Sequence, residues 1–284
     1  LPSGYFSKPA EVLDPDLFDG DHLREDVRTG LLNALYSDLE NDLGFKKPWN
    51  WTCAWLAGSG ASYQWSADRG NGDLDVLFGV DLATFLDDNP QFPRLSGPEV
   101  ARYTDQMLKA MSWPKTRNAT IGGSRKHYEI TFFWNPGVSD DIKIINPYAA
   151  YDLIMDRWDV KPPTLPEDPT GMYPKEWFDF TDADYKQATA LRELADNGGS
   201  LGKVQAGRAA HSLWDAIHNG RKAAFSDVGG GYGDFHNFRW QRGKQLGTVD
   251  ILRGFIDNEE EPTETPADII TRAAMRYSSA RYYK

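Results

Sequence analysis

Residues 160–174, VKPPTLPEDPTGMYP, hold five prolines in fifteen positions. Proline fixes φ and removes a backbone donor, so this stretch can propagate neither a helix nor a sheet ladder. It therefore divides the chain, and the two sides differ in pattern. A first domain is expected over 1–160, a proline-rich connection over 161–174 and a helical domain over 175–284.

Upstream, Leu23, Val27, Leu31, Leu35 and Leu39 recur at four-residue steps behind Asp21. This predicts a helix over about 21–42 with Asp21 as its cap and one apolar stripe. WTCAWLA (51–57) and DLDVLFGV (73–80) read as strands joined by a loop. Residues 98–112 read as a helix opened by Pro98, and RNATIG, HYEITFFW and IKIINPY as three strands. Turns are expected at Gly122-Gly123 and at Asn135-Pro136-Gly137. Downstream, 182–197, 201–224 and 265–282 read as helices, interrupted by the glycine-rich loop VGGGYGD (228–234). The fold class predicted is α+β, a mixed sheet with flanking helices followed by a mainly helical lobe.

Composition narrows the function classes. Apolar residues make up 40% of 284, enough to build a core and to exclude a wholly disordered chain. The lone cysteine, Cys53, makes neither an internal disulfide nor a Cys-based zinc site. With no membrane-length apolar run and no signal-peptide core, the expectation is a cytoplasmic protein without membrane partners. A net charge of −11 argues against duplex DNA. That charge is uneven: residues 201–253 carry eight basic and four acidic side chains, against an acidic excess upstream.

The chemistry concentrates in Gly58-Ser59 and Asp73-Leu74-Asp75-Val76. On a strand, Asp73 and Asp75 project to one side while Leu74 and Val76 point into the core. Two such carboxylates call for a hard divalent cation, commonly Mg²⁺, that completes its shell with phosphate oxygens and water. Gly58 lets a phosphate approach the backbone closely, and Ser59 adds a hydroxyl. A pair of metal ions flanking an in-line attack needs a third carboxylate. Glu129 is the choice, on the polar face of HYEITFFW with His127 and Thr131, and Asp141 is the runner-up. Trp49, Trp51, Trp55 and Trp65 read as core. His211 and His218 read as packing residues, since no acid or cysteine stands near them at ligand spacing.

Helix, strand, Gly58-Ser59, strand with Asp73-x-Asp75, helix and strand with an acid form an ordered set over roughly 20–155. It resembles the nucleotidyltransferase superfamily typified by DNA polymerase β. Within it, LAGSGASYQW, GNGDLDVLFGVD and INPYAAYDL are similar to uncharacterised nucleotidyltransferases encoded by actinobacterial phages, and the last also to a strand of oligoadenylate synthases. One departure stands out: Lys143 and Ile144 occupy the place of the synthases' third aspartate. The resemblance implies an Mg²⁺-dependent transferase, with two ions, that moves a nucleoside monophosphate from an NTP to an acceptor and releases pyrophosphate. Asp73, Asp75 and Glu129 would then be the metal-binding and catalytic residues, and Gly58 and Ser59 would grip the phosphates. Arg221 and Lys222 would neutralise the triphosphate, with Arg208, Arg239 and Lys244 as further candidates and Arg69 the nearest in the first domain. The acceptor stays open among a small molecule, a protein and a tRNA. Two other readings remain: a nucleotide-binding or sensing module without transfer, and a nucleotide-sugar glycosyltransferase using Asp-x-Asp for its metal. Only one helix and one strand precede the motif, against the βαβ unit that the glycosyltransferase reading requires.

Overall fold

The computed structural model describes residues 4–65, 73–92, 96–112, 118–120, 127–134 and 141–257. Side chains at 105–112, 118–120 and 127 are outside that description. A short hairpin, β1 (Phe18–Asp19) and β2 (His22–Leu23), precedes α1 (Glu25–Ser37), which runs into a wider π-type turn over Asp38–Asp42. The leucine stripe behaves as its spacing demands, with Val27, Leu31, Leu35 and Leu39 fully buried. The helix begins later than expected, because Asp21 belongs to the hairpin. Its carbonyl accepts Trp158 Nε1–H and its carboxylate pairs with Lys161 at 3.1 Å.

After α2 (Pro48–Trp51) come β3 (Thr52–Ala57), β4 (Asp73–Val80), α3 (Leu82–Asp88), α4 (Gly97–Ser112), β5 (Asn118–Thr120) and β6 (His127–Trp134). Two further strands, β7 (Ala150–Asp152) and β8 (Arg157–Val160), close the set. The six lie in the order β5-β6-β4-β3-β7-β8, with β4 and β6 parallel and the other neighbours antiparallel. A parallel pair needs a crossover, which α3 and α4 supply. The protein is thus α+β with a mixed sheet. On β4 and β6 the alternation is clean: Leu74, Val76, Phe78, Tyr128, Ile130 and Phe132 are buried in the main core with α1, Phe85 of α3 and Val100 of α4.

One strand expected from the sequence is absent. IKIINPY forms a 3-10 turn over Ile142–Ile145, and the strand lies further on at Ala150–Asp152. Asp141 starts the turn by accepting Lys143 N–H at 2.9 Å, and Asn146 ends it in the left-handed region (φ 47°). Pro147 then has no donor for a ladder. Ile142 and Ile145 pack with Trp55 and Ala150 on the second face of the sheet, covering part of it. Trp51 and Trp55 are core, but Trp49 is 54% exposed, contrary to expectation. It sits on the outer side of the four-residue α2, edge-on to Tyr36.

Beyond the prolines the chain is helical: α5 (Lys175–Asn197), α6 (Gly199–Ala224), α7 (Phe235–Leu246) and α8 (Thr248–Ile256). Their own core joins Ala188, Ala210, Leu213, Ile217, Trp240, Val249 and Leu252. Arg239, Arg242 and Lys244 stand on α7, which directly follows the glycine-rich loop. The apolar pattern of FHNFRWQRGKQL is broken by Arg239, which is buried because Asp184 of α5 accepts its Nε–H and Nη2–H at 2.7 and 2.9 Å. The helix expected over 265–282 and both expected turns, at 122–123 and 135–137, lie outside the described residues.

Candidate functional site

Parallel pairing of β4 with β6 sets Asp73 directly beside Glu129 and Asp75 beside Thr131. Side chains paired in this way point to the same face, opposite to the buried Leu74 and Ile130. Antiparallel pairing on the other edge of β4 sets Asp75 against Ala57, the last residue of β3. The chain then turns through Gly58, whose φ of 71° and ψ of −155° are open to glycine alone. A Cβ there would lie 2.5 Å from Asp75 Oδ2, so the carboxylate rests against the bare α-carbon. The turn that follows is held from within: Ala61 N–H donates to the Gly58 carbonyl, and Ser62 N–H and Oγ–H donate to the Ser59 carbonyl. Ser59 itself is exposed. The Gly-Ser turn and the Asp-x-Asp strand thus form one corner.

Opposite charges relieve that corner only in part. Burial pushes the Asp75 carboxyl up to about 6; the Asp73 and Glu129 charges push the same way, while Arg221 and Lys244 oppose them. Glu129 is also raised, first by burial, then by the charge of Asp73 and a hydrogen bond with it. Across from the sheet, burial lowers Arg221, with Asp75 opposing and Arg253 adding to the shift. Lys244 is lowered by burial and by Arg221, with Asp75 and Asp73 opposing. The Arg221 guanidinium lies 5.0 Å from the ring centre of Trp240. Asp75, on the face it shares with Asp73 and Glu129, therefore senses Arg221 of α6 and Lys244 of α7, while Arg253 of α8 acts on those two cations.

Other candidates fall elsewhere. Lys222 follows Arg221 on α6, about 100° around the helix, and is exposed. Arg208 is exposed, thirteen residues and so roughly 20 Å up the same helix. Arg239 is held in its ion pair, and Arg242 stands 3.3 Å from Asp182. Asp141 caps a turn at the surface. Asp152 accepts the N–H groups of Ile154 and Met155. His218 stacks on Trp214. Arg69 lies outside the described residues, as does the side chain of His127. Arg253, which no motif marked, joins the cation group. Its only signal in the sequence was membership of the basic stretch 201–253.

Among the described residues, no group of three His, Cys, Asp or Glu side chains is placed to hold a metal ion. No described helix is long and apolar enough to cross a membrane. A groove of about 1120 Å³ opens beside the β1–β2 hairpin, but none of the three acids or facing cations lines it. No family model, curated protein or solved structure matches the chain.

Proposed function

We propose that this protein is a divalent-metal-dependent nucleotidyltransferase, built on a nucleotidyltransferase-type sheet. The observation that carries the reading is the register: Asp73, Asp75 and Glu129 share one face, Gly58 lies under Asp75, and Arg221 and Lys244 stand opposite. Carboxylates gathered on one face, with Arg221 and Lys244 acting on Asp75 from the helical lobe, suit a metal–polyphosphate ligand.

The donor set fits Mg²⁺ in kind, since all its groups are hard carboxylate oxygens. Mg²⁺ commonly takes one or two protein carboxylates and completes its shell with phosphates and water, so a closed three-residue cage is not required. Asp73 and Asp75 would hold the ions, with Glu129 on the acceptor side. Bound there, the metal would supply charge neutralisation at the reacting phosphate. The chain's own groups do the rest. Gly58 and Ser59 border the phosphates, and Arg221 and Lys244 neutralise the β- and γ-groups as charge builds on the leaving oxygen. Glu129 takes the acceptor's proton. The acceptor oxygen bonds to the α-phosphorus, the α–β P–O bond breaks, and pyrophosphate departs with the electron pair.

The test uses each α-labelled NTP with Mg²⁺, the full chain, and tRNA, protein and small-molecule acceptor pools. Label transfer with stoichiometric pyrophosphate is the expected result. Nucleotide binding without pyrophosphate release would instead establish a sensing module. Activity confined to sugar nucleotides would replace the reading with glycosyl transfer.

A further inference from the structure

The glycine-rich segment 228–234 reads as a surface loop in sequence, and Val228 is indeed exposed, yet its centre at Gly231-Tyr232 is tied into the molecule. Its Tyr232 ring stacks on Tyr148 with centroids 3.7 Å apart and a 20° interplanar angle, and meets Tyr5 at 4.7 Å. Gln64 Nε2–H donates to the Tyr232 hydroxyl, while the Tyr232 carbonyl accepts Tyr5 Oη–H at 2.9 Å and Asn237 Nδ2–H at 2.8 Å. The glycines make this possible. Gly231 has φ of 65°, and a Cβ there would lie 2.5 Å from the Asn146 carbonyl oxygen; Asn146 Nδ2–H in turn donates to the Gly229 carbonyl. Beside this, Phe6 packs edge-on to Phe238 of α7, and Tyr5 stacks on Tyr173. Burial raises the Tyr5, Tyr148 and Tyr232 hydroxyls far above the usual phenol range, so the cluster stays neutral.

The location gives the cluster its meaning. The segment joins the end of α6, which carries Arg221 in its last turn, to the start of α7, which carries Lys244. On the other side, Gln64 follows the Gly58-Ser59 turn by a few residues. Tyr148 lies two residues before Ala150, which pairs with Ala57. A short run of bonds thus ties the corner holding Asp75 to both helices that carry the facing cations.

We infer that Tyr232 is a positioning residue, a latch between the lobes that sets the distance of Arg221 and Lys244 from Asp75. The latch itself is independent of the proposed chemistry; its effect on nucleotide binding rests on that reading. With the latch released, the helical lobe swings away from the acids and the cations lose their register on a bound triphosphate.

Spin labels at Glu40→Cys on the sheet lobe and Leu201→Cys on the helical lobe, in a Cys53→Ser background, report the separation without any nucleotide. Both positions are exposed. The parent should give one narrow distance distribution. Tyr232→Ala should broaden it while helix content is kept. Tyr232→Phe, which retains both ring contacts, should stay close to the parent. Gly231→Ala, which forces the loop off Asn146, should broaden it independently and serves if Tyr232→Ala does not fold. A narrow, parent-like distribution in folded Tyr232→Ala or Gly231→Ala overturns the latch. Binding of a non-hydrolysable Mg·NTP analogue, measured on the same proteins, should weaken about tenfold in the broadened variants. If the distribution broadens but the parent binds no nucleotide, the latch stands and the functional reading falls.

Discussion

Arg239 and Arg221 lie on neighbouring helices of the same lobe, and the chain treats their charges in opposite ways. Arg239 faces the interior of the helical lobe, with both carboxylate oxygens of Asp184 on its guanidinium and the ring of Phe180 at 4.9 Å. Arg221 is half-buried over Trp240, with no acid within ion-pair distance among the described residues and Asp75 acting on it from further off. Burying a charge costs several kcal/mol unless a partner answers it. The first arrangement answers it within the fold; the second leaves Arg221 and Asp75 acting on each other beyond ion-pair distance among the described residues. The paired charge serves the architecture, and the unpaired one is where the proposed nucleotide would be answered.

The sharpest break of this comparison is Asp75→Asn. On the proposed reading, losing one metal bridge should remove several kcal/mol of transition-state stabilisation, a drop in turnover on the order of a thousandfold, read by pyrophosphate release. Unaltered turnover would dismiss Asp75 from the chemistry. Asp184→Ala, by contrast, should act on stability: stranding a buried guanidinium costs about 3 kcal/mol or more, read by denaturant unfolding. Nucleotide affinity measured well below the transition should hardly change.

Next in size, Arg221→Glu or Lys244→Glu should raise the NTP Michaelis constant about tenfold to a hundredfold, as expected for a lost hydrogen bond to a charged group. A smaller effect concerns the metal-free protein in chelator. Folding raises the Asp75 pKa to about 6, from roughly 3.9 in an unfolded chain. The folded state therefore holds its proton more tightly, and the associated stability is complete below about pH 4 and lost as pH rises through 6. Asp75→Asn should thus melt higher than the parent at pH 7.5, by on the order of 1 kcal/mol or about 2 to 4 °C, and lose that advantage near pH 4. Smallest of all, Lys222→Glu and Arg208→Glu should shift the Michaelis constant by less than about fivefold, the value of surface charges.

Much of the sheet was legible because its residues obey a local rule. Alternation in DLDVLFGV and HYEITFFW assigns faces without knowledge of the neighbours, and it places Asp73, Asp75 and Glu129 on one side. Composition likewise marked the proline-rich break. What stayed hidden depends on partners far along the chain. IKIINPY has strand-like residues, but Asp141 and Asn146 impose a turn at either end. The α7 helix lacks an apolar stripe because one of its buried positions is an arginine whose partner lies on α5. The separation of Arg221 from Lys222 needed the rotation of a helix against a second lobe, and no spacing rule encodes that.

The parallel register of β4 and β6 also orders events in time. Asp75 reaches Gly58 through a local hairpin of β3 and β4, whereas Glu129 stands roughly 55 positions from Asp73, beyond α3 and α4. Closing the longer loop costs more chain entropy and is slow. The hairpin is therefore expected to form before the third acid arrives, with like-charge repulsion entering when the crossover docks. If the proposed divalent ion binds these acids, its presence at that moment should speed the last step of refolding and leave the first untouched, an effect on assembly rate that needs no substrate.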